Sequence, residues 1–172
     1  DPENPAGESW GGSFEKITHS PRIVFNKTTS LEDTVAFCSI LEFRLKGPEL
    51  KIASDSACFW MEVPYGKDVQ KWPGYYLGEG VYSLRYIPKK AEVLNYSFSS
   101  PIPEIDGLKG SIVVDNLWPG KKHPTDYPLG DTWFSDKQDK ELYDGKIQGG
   151  KTVLKWRNDI LEDWAKRWEW LR

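Results

Sequence analysis

Five residues near the start of the chain, Gly7-Glu8-Ser9-Trp10-Gly11, match the pattern G-x-S-x-G. In hydrolases that spacing lifts a nucleophilic serine onto a strained strand-to-helix turn. Here Pro2 and Pro5 precede it and no strand does, so a Gly-rich turn accounts for the match. A base would have to be His19 or His123, and both lie among loop-type residues. Carboxylates are plentiful at Asp126, Asp131, Asp136, Asp139, Glu141 and Asp144. Their spacing lacks the alternating Asp pattern and closing Glu of a calcium loop. Solvated loop acids are expected, with an autonomous hydrolase built on Asp131 and Asp136 as the weaker alternative. Cys38, Cys58, His19 and His123 form no C-x-x-C or H-x-x-x-H pair, so neither a structural zinc nor any cofactor is expected. The cysteines sit in apolar runs where a disulfide and two buried thiols both remain open. No catalytic residue is assigned.

The aromatic residues carry a different chemistry. Nine Trp, eight Tyr and seven Phe make up 14% of the chain, enough to build stacking surfaces as well as a core. Trp60, Trp72, Tyr75, Tyr76 and Tyr82 fall close together in sequence. Sugar rings present apolar C–H faces to flat aromatic rings, while carboxylates such as Glu62, Asp68 and Glu79 can bind hydroxyls. Trp72, Tyr75, Tyr76, Glu79 and Trp60 are therefore the candidate glycan platform. The competing reading is that Trp60 and Tyr82 fill the core while Trp72 covers an edge.

Bulk composition narrows the partners. Twenty-three basic against 26 acidic side chains give a formal charge of −3 with no basic stripe, so nucleic acid is not an expected partner. No stretch approaches the length of a bilayer-spanning segment, and the first dozen residues lack the basic and apolar regions of a signal peptide. A soluble chain from which any export signal has been removed is expected.

These residues must be positioned by a mainly β framework. Strands are expected at Arg22 to Asn26, Val35 to Leu45, Ala57 to Val63, Gly80 to Ile87, Glu92 to Ser99 and Gly110 to Val114, from alternating apolar positions. Val35, Phe37, Leu41, Phe43 and Leu45 share one phase; Glu42 and Arg44 face the other way. Tyr82, Leu84 and Tyr86 share a face, as do Leu94, Tyr96 and Phe98, which fits an immunoglobulin-like antiparallel β-sandwich. Turn-forming triplets, among them Trp72-Pro73-Gly74, separate the strands. The organisation expected is an irregular segment over 1–20, a sandwich over 21–116, and over 117–172 an irregular connection followed by a helix. That helix begins near Lys151, with Val153, Trp156, Ile160, Trp164, Trp168 and Leu171 on one stripe. So apolar a stripe should cover the sandwich or a domain outside this chain.

The termini resemble a known family. Asp1-Pro2-Glu3-Asn4-Pro5 with Glu8-Ser9-Trp10-Gly11-Gly12, and Trp156-Arg157-Asn158-Asp159 with Asp163-Trp164-Ala165-Lys166-Arg167, resemble the C-terminal part of bacterial secreted nucleoside-hydrolase-like proteins, a family that includes proteins described as cellulose-binding. The middle, including Trp72-Pro73-Gly74-Tyr75-Tyr76-Leu77-Gly78-Glu79-Gly80, resembles the immunoglobulin-like modules that accompany bacterial glycoside hydrolases. The resemblance implies a hydrolase domain in the same parent chain. The Asp cluster with which that family holds calcium and ribose has no counterpart here.

Together these readings define an expectation: a periplasmic or extracellular, non-catalytic accessory region of a bacterial carbohydrate-active or nucleoside-hydrolase-like protein, with a polysaccharide or glycan as ligand and no membrane partner. The alternative is a structural scaffold that fixes interdomain geometry.

Overall fold

A computed structural model describes residues 3, 4, 7 and 11–170. Ser9 of the G-x-S-x-G pattern and Leu171 of the helical stripe lie outside the described residues. The chain is mainly β, 42% strand and 13% helix, as the alternating patterns require.

In chain order the strands are β1 (Phe14–Lys16), β2 (His19–Ser20), β3 (Arg22–Phe25), β4 (Thr34–Ala36), β5 (Ile40–Lys46), β6 (Ala57–Tyr65), β7 (Asp68–Gly78), β8 (Val81–Tyr86), β9 (Glu92–Ser99), β10 (Lys109–Asp115), β11 (Tyr127–Pro128) and β12 (Phe134–Asp136). A 3-10 turn at Lys140–Leu142 and two helices, α1 (Gly150–Lys155) and α2 (Arg157–Glu169), follow.

Eight strands form one mixed sheet in the order β3-β5-β8-β7-β6-β9-β10-β4. The outermost pairs, β3 with β5 and β4 with β10, are parallel, and the others are antiparallel. The sheet rolls until its edges nearly meet. Residues 26–33 join edge strand β3 to edge strand β4, and on the way the Thr29 carbonyl accepts from Ser111 N and the Asp33 carbonyl from Val113 N. The Thr29 amide donates to the Tyr96 hydroxyl at 2.9 Å. Two separately bonded sheets are not what forms, because the β6–β7 hairpin belongs to both halves and keeps the hydrogen-bonded ladder continuous.

The inner face is the core that the period-two patterns predict. Leu41, Phe43 and Leu45 of β5, Phe59, Met61 and Val63 of β6, Tyr82, Leu84 and Tyr86 of β8, and Leu94, Tyr96 and Phe98 of β9 are all buried. Each such side chain contributes about 1.5–3 kcal/mol by leaving water. Phe43 touches Tyr96 and Phe98, which in turn reaches Phe59, with ring centroids 5.1–5.9 Å apart.

Three features depart from expectation. Val35 to Leu45 is two strands, because Cys38 takes a left-handed conformation with φ 59° and sends β4 to one edge of the sheet and β5 to the position beside the other edge strand, β3. Residues 68–78, in which Trp72-Pro73-Gly74 reads as a turn, form the long strand β7. Pro73 is tolerated because β8 pairs with β7 only from Tyr75 onward, so no ladder bond to β8 is required of the missing N–H. Gly74 is required there: a Cβ would lie 2.2 Å from the Phe59 ring. Finally, the segments expected to be irregular pair with each other, β1 with β12 and β2 with β11. Backbone bonds from Ile17 to Trp133, Leu129 to Thr18 and Lys137 to Ser13 extend these ribbons, which satisfies the polar backbone of a long connection.

The C-terminal helix begins where expected but breaks at Trp156. None of the described α2 residues is buried, and Leu161, Trp164, Trp168 and Trp170 are exposed. Trp164 and Trp168 contact each other edge to face at 5.5 Å.

Candidate functional site

Strands β7 and β8 leave their shared turn paired, Tyr76 with Tyr82 and Tyr75 with Ser83, and then part. Beyond Tyr75 the hydrogen bonds of β7 run only to β6, where Trp60 opposes Pro73, Met61 opposes Trp72 and Glu62 opposes Lys71. A shallow groove of about 500 Å3 opens along the divergence, lined by Trp72, Pro73, Tyr75 and Leu77 from β7 and by Ser83 and Arg85 from β8. Because successive residues of a strand point to opposite faces, Tyr75 and Pro73 stand on the outer face, Tyr76 and Gly74 are buried, and Trp72, in phase with these last two, opposes the buried Met61.

The candidate platform therefore divides. Trp72 and Tyr75 are each 36% exposed and both line the groove. Trp72 rests edge-on against Tyr86, centroids 5.3 Å apart, on a strand in the interior of the sheet. Trp60 is half-buried on the outer face, across from Pro73, and continues the surface one strand further without lining the groove. Tyr76 belongs to the core, its ring tilted against that of Tyr82 with centroids 4.9 Å apart. Its hydroxyl accepts from Gly80 N and Leu50 N. Glu79 occupies the β7–β8 turn with φ 51° between Gly78 and Gly80, exposed and outside the groove. Of the other proposed hydroxyl binders, Glu62 is bonded to Lys71 at 2.7 Å, and that bond, with one from Ser99, lowers its pKa.

What sequence reasoning missed is the charge behind the groove. Glu42 projects from β5 toward the outer face yet is buried, because three guanidiniums cover it. Arg22 reaches its Oε2 at 2.7 Å, Arg44 its Oε1 at 2.7 Å and Arg85 its Oε2 at 3.0 Å. Burial pushes the Glu42 carboxyl up, but hydrogen bonds from Arg22, Arg44 and Arg85 outweigh it and hold the group at about 2. Arg22 also lies over the Tyr127 ring, 5.5 Å from its centroid. Arg44 opposes Ser83 and Glu42 opposes Arg85 in the β5–β8 register. The signal available in sequence was the outward phase shared by Glu42, Arg44 and Arg85.

The loop acids separate. Asp131 is solvent-exposed and bonded to Lys16 at 2.7 Å, which lowers its pKa. Asp136 is raised by burial in a cavity of about 450 Å3, whose other charged lining residues are Lys89, Lys90 and Lys146. Among the described residues no second carboxylate lines that cavity. Cys38 and Cys58 are free thiols, and burial pushes the Cys58 thiol up.

Comparison with known proteins places the groove in a recognised segment. A family model for a domain of unknown function, DUF5060, matches residues 40–101, which runs from β5 through β9 and so contains every groove residue. That family is a different one from the nucleoside-hydrolase-like proteins that the termini resemble. Among solved structures, a protein described as a "putative glycoside hydrolase" from Bacteroides vulgatus is 28% identical, with a TM-score of 0.41. The match covers 48% of this chain and only 16% of that one. Auracyanin A, a blue copper protein from Chloroflexus aurantiacus, is 12% identical with a TM-score of 0.35, over 55% of this chain and 99% of that one. No curated protein matches.

Proposed function

We propose that this chain is a non-catalytic accessory region of a larger, exported bacterial carbohydrate-active protein and that it binds glycan in the β7–β8 groove. One observation carries this reading: Tyr75 presents a partly exposed ring to the groove from a strand held on a packed core, and Trp72, which packs on Tyr86 from the opposite phase of the strand, lines the same groove with its exposed part. Rings fixed on a rigid element offer a stacking surface at little entropic cost. Ser83 and Arg85 on the opposite wall supply the hydrogen-bond donors that orient hydroxyls. The strand order B-E-D-C-F-G of immunoglobulin-like modules can be laid on β5-β8-β7-β6-β9-β10, which supports reading the sheet as a relative of the modules found beside glycoside hydrolases. The nucleoside-directed part of the sequence expectation rests on the terminal segments alone and is not part of this proposal.

A scaffold role is the second reading, and α2 favours it. Its exposed tryptophans have no cover among the described residues, as a surface for a hydrolase domain of the same parent chain would not.

Retention of the folded chain on soluble and insoluble polysaccharides, read alongside Trp72→Ala and Tyr75→Ala, separates the two. Retention that both substitutions abolish supports glycan binding in the groove. A well-folded chain that no polysaccharide retains overturns it in favour of the scaffold.

A further inference from the structure

Within that glycan-binding reading, we propose that the groove selects a carboxylate-bearing polysaccharide, with the uronate carboxyl taken by Arg85 and Arg44. The inference rests on a charge imbalance built into the outer face. A single carboxylate, Glu42, meets three guanidiniums, so the cluster carries two positive charges more than negative. The whole chain is net −3, so this excess is local and not a property of the surface at large.

The three arginines are not equivalent. Arg22 is largely buried, its side chain 17% exposed, with its Nε and one terminal nitrogen given to Glu42 and its plane over Tyr127. Its role is to hold Glu42. Arg85 gives Glu42 its Nε alone, its side chain is 61% exposed, and among the described residues it is the one charged residue lining the groove. Arg44 also gives Glu42 its Nε and one terminal nitrogen, but it is 43% exposed and directly opposes Ser83, itself a groove residue. Glu42 thereby acts as an internal counter-charge that fixes the two outer guanidiniums, through their inner nitrogens, beside the aromatic rings.

The geometry suits a uronic acid. Tyr75 opposes Ser83, which opposes Arg44, in one row across three strands. A pyranose stacked on Tyr75 keeps its C–H face on the ring while an equatorial C5 carboxylate, close to the plane of the sugar, extends sideways toward β8. A planar carboxylate accepts two parallel N–H bonds from a guanidinium fork, the arrangement that makes such pairs strong and directional. Among the described residues no acidic side chain lines the groove to repel it.

The test is affinity electrophoresis and titration calorimetry of the complete chain with polygalacturonate, alginate and hyaluronan, set against the fully methyl-esterified form of polygalacturonate and a sulfated galactan. The ester keeps the sugar and removes the charge, so it questions the unmodified protein without a variant that could misfold. At least one uronate polymer is expected to bind about tenfold or more tightly than the neutral ester, a gap that one lost charge-assisted bond would produce. Added salt should shrink the gap, and Arg85→Gln, checked for folding by thermal melting, should lower uronate binding to the level of the ester. Equal binding of acid and ester would overturn the charge inference while leaving glycan binding intact. Preference for the sulfated polymer would overturn the assignment to carboxylate. Retention of none of these or of any neutral polysaccharide would remove both readings together.

Discussion

Trp72 stands nearly perpendicular to Tyr86, at an interplanar angle of 84° and a centroid distance of 5.3 Å, in the gap where β7 and β8 stop pairing. The contact is part of the fold and part of the groove at once. Tyr86 anchors the ring to the core, and the exposed remainder of the indole is what a ligand meets. Trp72→Ala therefore costs stability as well as binding. A fully buried Trp→Ala change costs about 3–5 kcal/mol; with the ring partly open, about 1–2 kcal/mol is expected here, a fall in Tm of roughly 3–6 °C. Trp72→Phe keeps an edge contact and should recover most of that. Thermal unfolding followed by tryptophan-independent circular dichroism decides it: a cost under half a kcal/mol would mean that the ring does not pack on Tyr86.

Neighbouring tyrosines should behave in opposite ways. Tyr75 points outward and Tyr76 inward, so Tyr75→Ala is expected to leave stability within about 0.5 kcal/mol and to weaken glycan retention strongly. Tyr76→Phe deletes the acceptor of the Gly80 and Leu50 amides, stranding buried donors at a cost of about 1–3 kcal/mol, and should leave retention on the polysaccharide unchanged. Urea titration of both variants beside the binding assay checks the pair; loss of binding in Tyr76→Phe at full folding would contradict the assignment of faces.

Stability should also follow the titration of Glu42. Its folded-state pKa is depressed from 4.5 to about 2, so the stabilisation is fully present above 4.5 and is lost as pH falls from 4.5 through about 2. A shift of that size corresponds to roughly 3 kcal/mol. Unfolding free energies measured across that window should fall by an amount of this order in the native chain, whereas Glu42→Gln should be less stable at neutral pH and show a flatter acid limb. Parallel acid limbs in the two proteins would exclude Glu42 as the source.

The core was readable because inward positions on β5, β8 and β9 repeat with a period of two and carry Leu, Phe and Tyr without interruption. β7 was not, since its local composition, Trp72-Pro73-Gly74, is that of a turn, and what makes it a strand is non-local: β6 supplies its ladder and the Phe59 ring demands the glycine. The same miss scattered the site. Read as a turn, residues 72–76 look like one aromatic cluster; on a strand, Tyr75 and Tyr76 part to opposite faces and Glu79 moves to the hairpin tip. The pairing of β1 with β12 and of β2 with β11 was equally hidden, because it joins residues more than a hundred positions apart through backbone bonds that no side-chain pattern announces. The arginine cluster escaped for a related reason: Arg22, Glu42 and Arg85 come from three strands that only the register brings together.

Helix α2 was expected to cover the sheet or a domain outside this chain, and its exposed stripe allows a test between the two. Removing an indole that packs against a core costs several kcal/mol, whereas surface substitutions away from such contacts stay within about 0.5 kcal/mol. Trp164 and Trp168 contact each other, are more than half exposed, and belong to a helix with no buried residue among those described. Trp164→Ala and Trp168→Ala should then each leave the unfolding free energy of the isolated chain nearly unchanged. In the larger protein proposed above, the same substitutions should lower the melting temperature, because a neighbouring domain would there cover the stripe. Calorimetry on the chain alone and on the full-length protein makes the comparison; a large loss in the isolated chain would mean that α2 packs on its own sheet, and none in either would leave the tryptophans without a structural role.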